Sequence, residues 1–257
     1  MRHSIKSLIG FTLGATDGEL GKVKDFYVDD ETWTVRYLIV DTGNWLSGRV
    51  VLISPESVLG SDRKNKIFSV NLTKEQVKNS PDINTDLPVS RQEEIKLHAY
   101  YPWIAYWNSG YYGSGGGAIA LPSDPLAIGM PYSEFTEKLA QKEMDADKHL
   151  RSTNKVTGYT IKAADGEIGE VEDFIIDETK WAIDLLLIDT GKWLPGKKVL
   201  ISPKLIKEID WETSTVMVET SVAFVKSSPE YDPAQLIQVV DPKDLHEHFS
   251  ELASHSQ

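Results

Sequence analysis

VDTGNWLSGRVVLISP at residues 40–55 returns later in the chain as IDTGKWLPGKKVLISP at residues 188–203. Sliding the chain over itself by 148 positions aligns 10–81 with 158–229 without a gap, and 30 of the 72 positions are identical. Gly10 meets Gly158, Asp25-Phe26 meets Asp173-Phe174, Trp33 meets Trp181, and Ser80-Pro81 meets Ser228-Pro229. Register held through every turn marks an internal duplication.

Each copy reads as a series of short strands. Asp17-Gly18 and Asp165-Gly166 are hairpin signals, because a primed turn needs a positive φ that glycine reaches without strain. GKVKDFYVDD and GEVEDFIIDE follow, then TVRYLIVD and AIDLLLID, rich in β-branched and aromatic residues and too short for buried helices. VVLIS and KVLIS end at Ser-Pro, since proline cannot donate to a sheet ladder. Five or six strands in about 75 residues predict a small closed barrel, which removes exposed sheet edges. A domain of that size buries only about 60% of its unfolded surface, so packing on a second copy adds stability.

GATDGELGKVKDFYVDD with VDTGNWLSGRVVLISPESV, and AADGEIGEVEDFIIDETKWAIDLLLIDTGKWLPGKKVLISPKLI, both resemble the PRC-barrel domain. That family is named for the cytoplasmic domain of the photosynthetic reaction-centre H subunit, and a ribosome-maturation factor shares the barrel. LPVSRQEE at 87–94, the Tyr-Tyr…Tyr-Trp cluster at 100–107 and HLRSTNKVTGY at 149–159 also resemble tandem PRC-barrel proteins of bacteria. The expected architecture is all-β, two small PRC-like β-barrels related by internal duplication. The first barrel is expected at 1–84 and the second at 154–232. Between them, 85–153 reads as an aromatic and Gly-rich connector with a helix at about 133–147, capped by Ser133. Residues 233–257 read as a C-terminal helical tail. Its N-cap is Asp241, Pro242 follows, and Leu245, Phe249 and Leu252 form an apolar stripe.

Composition narrows the function. A net charge of −12 argues against nucleic acid or an anionic membrane surface as a direct partner. The absence of cysteine excludes disulfides and thiolate chemistry and fits a reducing compartment. The N-terminus lacks the long apolar run of a signal peptide and no apolar run is long enough for a membrane span, so a cytoplasmic location is expected. GSGGG in the connector continues as AIALP rather than Gly-Lys-Ser/Thr, so it is not read as a phosphate loop. The connector aromatics, Trp103 and Trp107 among them, either anchor the connector on a barrel or form a partner-binding hot spot.

Asp-Thr-Gly occurs twice, at Asp41-Thr42-Gly43 and Asp189-Thr190-Gly191. Two similar lobes each giving one aspartate is the plan of an aspartic protease, whose carboxylates share a proton across a cleft. The following Asn44-Trp45 and Lys192-Trp193 depart from that pattern. The simpler reading makes Asp41, Gly43, Trp45, Asp189, Gly191 and Trp193 structural loop residues, with the aspartate accepting loop amide hydrogens. The histidines show neither a helical zinc pair nor a triad order, and turn or bulge roles account for Asp17, Asp25, Asp165 and Asp173. No catalytic, cofactor or metal residue is assigned, and barrels this small fill with their own side chains rather than a small ligand.

Three positions reverse sign between copies: Lys22 to Glu170, Lys24 to Glu172 and Arg36 to Asp184. Residues two apart on a strand share a face, so each trio is expected to form one patch, basic on one barrel and acidic on the other, facing across the barrels or between chains. The expected function is a non-enzymatic protein-interaction or assembly module whose partner is another protein or a second copy. The resemblance implies a place beside a reaction-centre-like membrane electron-transfer assembly, or a ribosome-maturation-type adaptor role on a ribosomal protein. The competing class is the Asp-Thr-Gly hydrolase.

Overall fold

A computed structural model describes residues 2–83, 89–106, 149–191, 197–228 and 230–232. The helix expected at about 133–147, the tail at 233–257, and Trp107 and Trp193 lie outside the described residues. The first repeat runs β1 (Arg2–Ser4), β2 (Thr12–Ala15), β3 (Gly18–Asp29), β4 (Val35–Asp41), β5 (Val50–Ile53), β6 (Val58–Asp62), β7 (Ile67–Val70), α1 (Lys74–Lys78) and α2 (Arg91–Tyr100). The second runs β8 (Leu150–Ser152), α3 (Thr153–Val156), β9 (Thr160–Ala163), β10 (Gly166–Asp177), β11 (Ala182–Asp189), β12 (Lys198–Ile201), β13 (Ile206–Asp210), β14 (Thr215–Val218) and α4 (Val222–Ser227).

The strands form two seven-stranded sheets with the same order, β5-β4-β3-β2-β7-β6 and β12-β11-β10-β9-β14-β13. Within each, a parallel pair (β2 with β7, β9 with β14) joins the hairpins. The seventh strand of each sheet comes from the other repeat. β1 pairs with β10, placing Arg2 opposite Asp177, His3 opposite Ile176 and Ser4 opposite Ile175. β8 pairs with β3, placing Leu150 opposite Asp29, Arg151 opposite Val28 and Ser152 opposite Tyr27. These registers are the same at the offset of 148, so the duplication reaches back to residues 2–4 and the two repeats exchange their leading strands.

Local chemistry explains the strand path. β3 and β10 each bend at a register shift, between Val23 and Asp25 and between Val171 and Asp173, where an extra residue re-aims the chain. Gly21 and Gly169 sit at φ 153° and 154°, and a Cβ there would lie 2.1 Å from the carbonyl oxygen of Asp41 or Asp189. Only glycine lets the neighbouring strand approach so closely. The Ser-Pro pairs cap short 3-10 turns, Ser54 accepting from the Glu56 amide and Ser202 from the Lys204 amide.

The barrel interiors merge into one apolar cluster spanning both repeats, with Leu8, Phe26, Leu38, Phe68, Phe174, Leu186 and Ile201 at its heart. Trp33 and Trp181 stand at the seam. Each adopts a positive φ, 55° and 51°. Trp33 packs 6.3 Å from the Phe174 ring and Trp181 5.8 Å from the Phe68 ring, so each repeat's tryptophan meets the other repeat's phenylalanine. Reciprocal backbone bonds, Val35 N–H to the Trp181 carbonyl and Ile183 N–H to the Trp33 carbonyl, both 2.7 Å, close the seam.

Candidate functional site

The exchanged strands are pinned by buried carboxylates. Asp25 accepts hydrogen bonds from the Ser152 hydroxyl, from Thr153 Oγ1 (2.6 Å), from the Asn154 amide (3.1 Å) and from its neighbour Phe26 (2.7 Å). Asp173 does the same for the first repeat's leader, accepting from the Ser4 hydroxyl, the Lys6 amide (3.2 Å) and the Phe174 amide (2.7 Å). Burial pushes the Asp173 carboxyl above the usual range, against the Ser4 and backbone bonds that pull it down. Both aspartates sit at the bulges, where the extra residue turns their side chains toward the incoming strand.

The sign-reversed positions behave differently from the expected facing patches. Lys22 and Lys24 are exposed on β3. Register sets Lys22 opposite Asp41, while Arg36 lies near Tyr27 and Val28 at the far end of the β3–β4 pair. The trio is therefore not one patch, because position 36 lies at the opposite end of the ladder from position 22. Arg36 turns inward, 2.9 Å from Asp29 and with its guanidinium carbon 3.7 Å above the Tyr106 ring. On the second barrel, Glu170 lies opposite Asp189. Glu172 pairs with Lys6 at 2.9 Å and Lys198 at 3.3 Å, and Asp184 pairs with Arg2 at 2.7 Å. The acids do meet first-repeat cations, but these come from the exchanged leader. Arg151 returns the contact, 2.8 Å from Asp30 and stacked 3.8 Å over Trp211.

The Asp-Thr-Gly loops are built as turns. Asp41 and Asp189 each accept the amide two residues on, from Gly43 and Gly191, at 2.8 Å. Thr42 and Thr190 bond the carbonyls of Arg49 and Lys197 at 2.6 and 2.7 Å. Trp45 donates to the Leu20 carbonyl and lies under Lys74, 4.5 Å from its ring. Thr34 and Ala182 form an antiparallel bridge at the seam. From there β4 and β11 run in opposite directions, and seven residues at about 3.3 Å each carry the two aspartates roughly 20 Å apiece away from the seam. Carboxylates so placed do not share a proton.

Among the described residues, a buried polar cluster lies on the first barrel, under α2. The sequence signal for this helix is Ser90-x-x-Glu93, which closes a reciprocal capping box. Tyr37 projects from β4 toward α2, where its hydroxyl lies 3.0 Å from Glu94 Oε1 and 2.9 Å from His98 Nε2. Tyr106 reaches the same carboxylate oxygen at 2.7 Å and His149 Nε2 at 2.9 Å. Arg91 pairs with Glu94 at 3.0 Å and touches His149 Nε2 at 3.1 Å. Glu94 is fully buried, and burial raises its carboxyl despite Arg91 and the two tyrosine hydroxyls. Burial also lowers His98 to about 4, so its ring is neutral at pH 7. In the second repeat the counterpart of Tyr37 is Leu185.

The connector then lies down on this barrel. Tyr101 stacks on Trp103 with centroids 4.1 Å apart, and Trp103 is buried with its indole N–H 2.7 Å from the Ser57 hydroxyl. Ile104, whose amide bonds Glu56 at 3.1 Å, is left 67% exposed, and Leu59, two residues beyond Ser57, is 69% exposed. Tyr100 is the third large hydrophobic exposed among the described residues. In the same residues no helix is long and apolar enough to cross a membrane, and no His/Asp/Glu group gathers as a metal site.

The family model for the PRC-barrel domain matches residues 2–77, from the leading strand through α1. The first repeat is therefore a PRC-barrel domain, and the second reproduces its strand order. An uncharacterized protein of Deinococcus radiodurans is 32% identical over 79 residues, covering 31% of this chain and 28% of that protein. The matched stretch is thus under a third of either protein. A PRC-barrel domain suggests a protein-interaction or assembly module.

Proposed function

We propose that this chain is a non-enzymatic, cytoplasmic docking module in which two interlocked barrels form a fixed platform and the connector face of the first barrel receives a partner protein. The observation that carries this reading is the paired exposure of Leu59 and Ile104 beside an otherwise buried aromatic anchor. The Trp103–Ser57 and Ile104–Glu56 bonds bring the two segments side by side, and an exposed Leu and Ile on them supply apolar surface of the kind protein interfaces use. The second repeat has Lys207 where the first has Leu59, so that half of the patch is particular to the first barrel. The family resemblance supplies two partner classes, a membrane electron-transfer assembly and, as the alternative, a ribosomal protein.

The test is site-specific photo-crosslinking in the host, with a photoreactive residue at 59, 104 or 207. The reading expects the same adduct protein from positions 59 and 104 and none from 207. Equal labelling at all three positions, or none, contradicts it.

A further inference from the structure

β1 and β8 occupy equivalent seats, and much of what holds them is common to both. The two registers match, and Ser4 bonds Asp173 as Ser152 bonds Asp25. The acid beyond the seat, Glu178 or Asp30, draws a cation at each barrel, Arg63 or Arg151. Nothing in that shared set distinguishes one leader from the other. The positions that differ do: Arg2 corresponds to Leu150 and Lys6 to Asn154, while the barrel residues they meet, Asp184 and Glu172, correspond to Arg36 and Lys24.

We propose that Arg2 and Lys6, read against Asp184 and Glu172, direct β1 to the second barrel and bar it from a first barrel, so that each barrel is completed only by the opposite kind of repeat. In the native seat the charges match at both ends of the strand. Arg2 opens β1 with its Nε 2.7 Å from Asp184, both side chains mostly buried. Lys6, two residues past the end of β1, lies 2.9 Å from Glu172, which also takes Lys198 at 3.3 Å.

The first barrel's seat is built for a different leader. Leu150 is buried there, opposite Asp29, whose carboxylate is already held by Arg36 at 2.9 Å. Asn154 donates its side-chain amide to the Lys24 carbonyl at 3.2 Å. Were β1 to take this seat, Arg2 would enter the buried position of Leu150 beside Arg36, and Lys6 would stand beside Lys24. Two attractions become two repulsions, and a guanidinium replaces a buried leucine.

The reverse exchange fails more mildly. β8 on the second barrel would bring Leu150 to Asp184 and Asn154 to Glu172, giving up both attractions. Selectivity between two seats is a difference of affinities, and here the unfavourable arrangement is penalised as well as the favourable one rewarded. The three sign reversals between the repeats thus include two that act as an address. They keep a first repeat from pairing with the first repeat of another copy, which the shared serine–aspartate clamp would otherwise accept.

Hydrogen exchange on the full-length chain tests the address at each seat. The Ile5 amide, which donates to the Phe174 carbonyl at 2.8 Å, reports β1, and the Asp30 amide, which donates to the His149 carbonyl at 2.9 Å, reports β8. Arg2→Glu with Lys6→Glu should speed exchange at Ile5 by about tenfold or more, and adding Asp184→Arg with Glu172→Lys should return it to within about threefold of the native rate. At the other seat, Leu150→Arg with Asn154→Lys should expose the Asp30 amide about tenfold more than the neutral pair Leu150→Gln with Asn154→Gln, which separates charge from lost packing. An unchanged Ile5 rate in the acidic leader would overturn the proposal. So would a loss, unfolding included, that the complementary reversal leaves unrecovered, or equal Asp30 exchange in the cationic and neutral β8 variants.

Discussion

Asp25→Ala removes the acceptor that seats the second repeat's leader on the first barrel. The Asp25 side chain is 6% exposed as a residue and takes four donors, three of them from residues 152–154. A hydrogen bond to a charged acceptor contributes about 1.5–3 kcal/mol, and a buried donor left unsatisfied costs about 1–3 kcal/mol. The bonds share one acceptor, so their contributions do not add fully. The two hydroxyls can turn elsewhere while the amides cannot. The expected loss is about 3–5 kcal/mol, against a total of about 5–15 kcal/mol for an ordinary domain. At about 2–3 kcal/mol per molar urea, this moves the unfolding midpoint down by about 1–2 M. Hydrogen exchange should show where the loss begins, with Leu150–Ser152 and its partners Tyr27–Asp29 losing protection before the distal strands. Asp17→Ala is the matched control: Asp17 is exposed and accepts the Lys74 amide at 2.8 Å, so its removal should cost about 1 kcal/mol or less. Should Asp25→Ala and Asp17→Ala cost the same, the clamp is not what seats β8, and the reasoning fails.

Other substitutions probe the remaining features. Gly21→Ala forces a Cβ to within 2.1 Å of the Asp41 carbonyl oxygen at a φ that only glycine favours, and is expected to cost more than about 3 kcal/mol in a thermal melt. Tyr37→Leu, the residue the second copy carries, takes a hydroxyl from the buried Glu94 carboxylate and should cost about 2–4 kcal/mol by urea titration; Tyr37→Phe should recover part of that by restoring the ring. His98 falls to about 4 in the fold from an ordinary value of 6.5, so the folded state resists protonation that the unfolded chain accepts. Its contribution is complete above 6.5 and is lost as pH falls from 6.5 toward 4, by about 3 kcal/mol at most. His98→Gln should reduce the slope of stability against pH in that window, leaving the part that His3, also lowered to about 4 by burial, contributes. Asp29 has the same sign at lower pH. Burial would raise its carboxyl, but the Thr32 amide and Arg36 outweigh burial and hold it below the usual range, so its contribution is present above about 4 and lost in stronger acid. Arg36→Ala should start acid unfolding at a higher pH, read by tryptophan fluorescence.

The duplication was legible because turns impose residue types. Gly21 with Gly169 and Ser54-Pro55 with Ser202-Pro203 fall where the backbone permits little else, so they persist through 148 residues of offset. The exchanged strands were not legible. β1 and β8 are three residues long and share only Ser4 and Ser152, and nothing local distinguishes a strand that pairs within its own repeat from one that crosses. The buried cluster was hidden for a related reason: Tyr37, Glu94, Tyr106 and His149 come from four separated segments, and only the contact brings them together. Its one readable part was the Ser90–Glu93 capping box that starts α2. The charge-reversed positions read as one patch because residues two apart on a regular strand share a face. Bulges at Val23/Asp25 and Tyr27/Val28 break that alternation, and the β3–β4 register sets Lys22 and Arg36 at opposite ends of the ladder.

Each barrel is completed by the other repeat's strand, so the platform is a single body rather than two beads on a connector. Inserting a specific protease site within 107–148, cutting the folded protein and measuring mass by light scattering after dilution to nanomolar concentration tests it directly. Interlocked repeats predict one particle of uncut mass, separating only when urea unfolds both halves together. Two half-mass particles in native buffer would contradict the exchange.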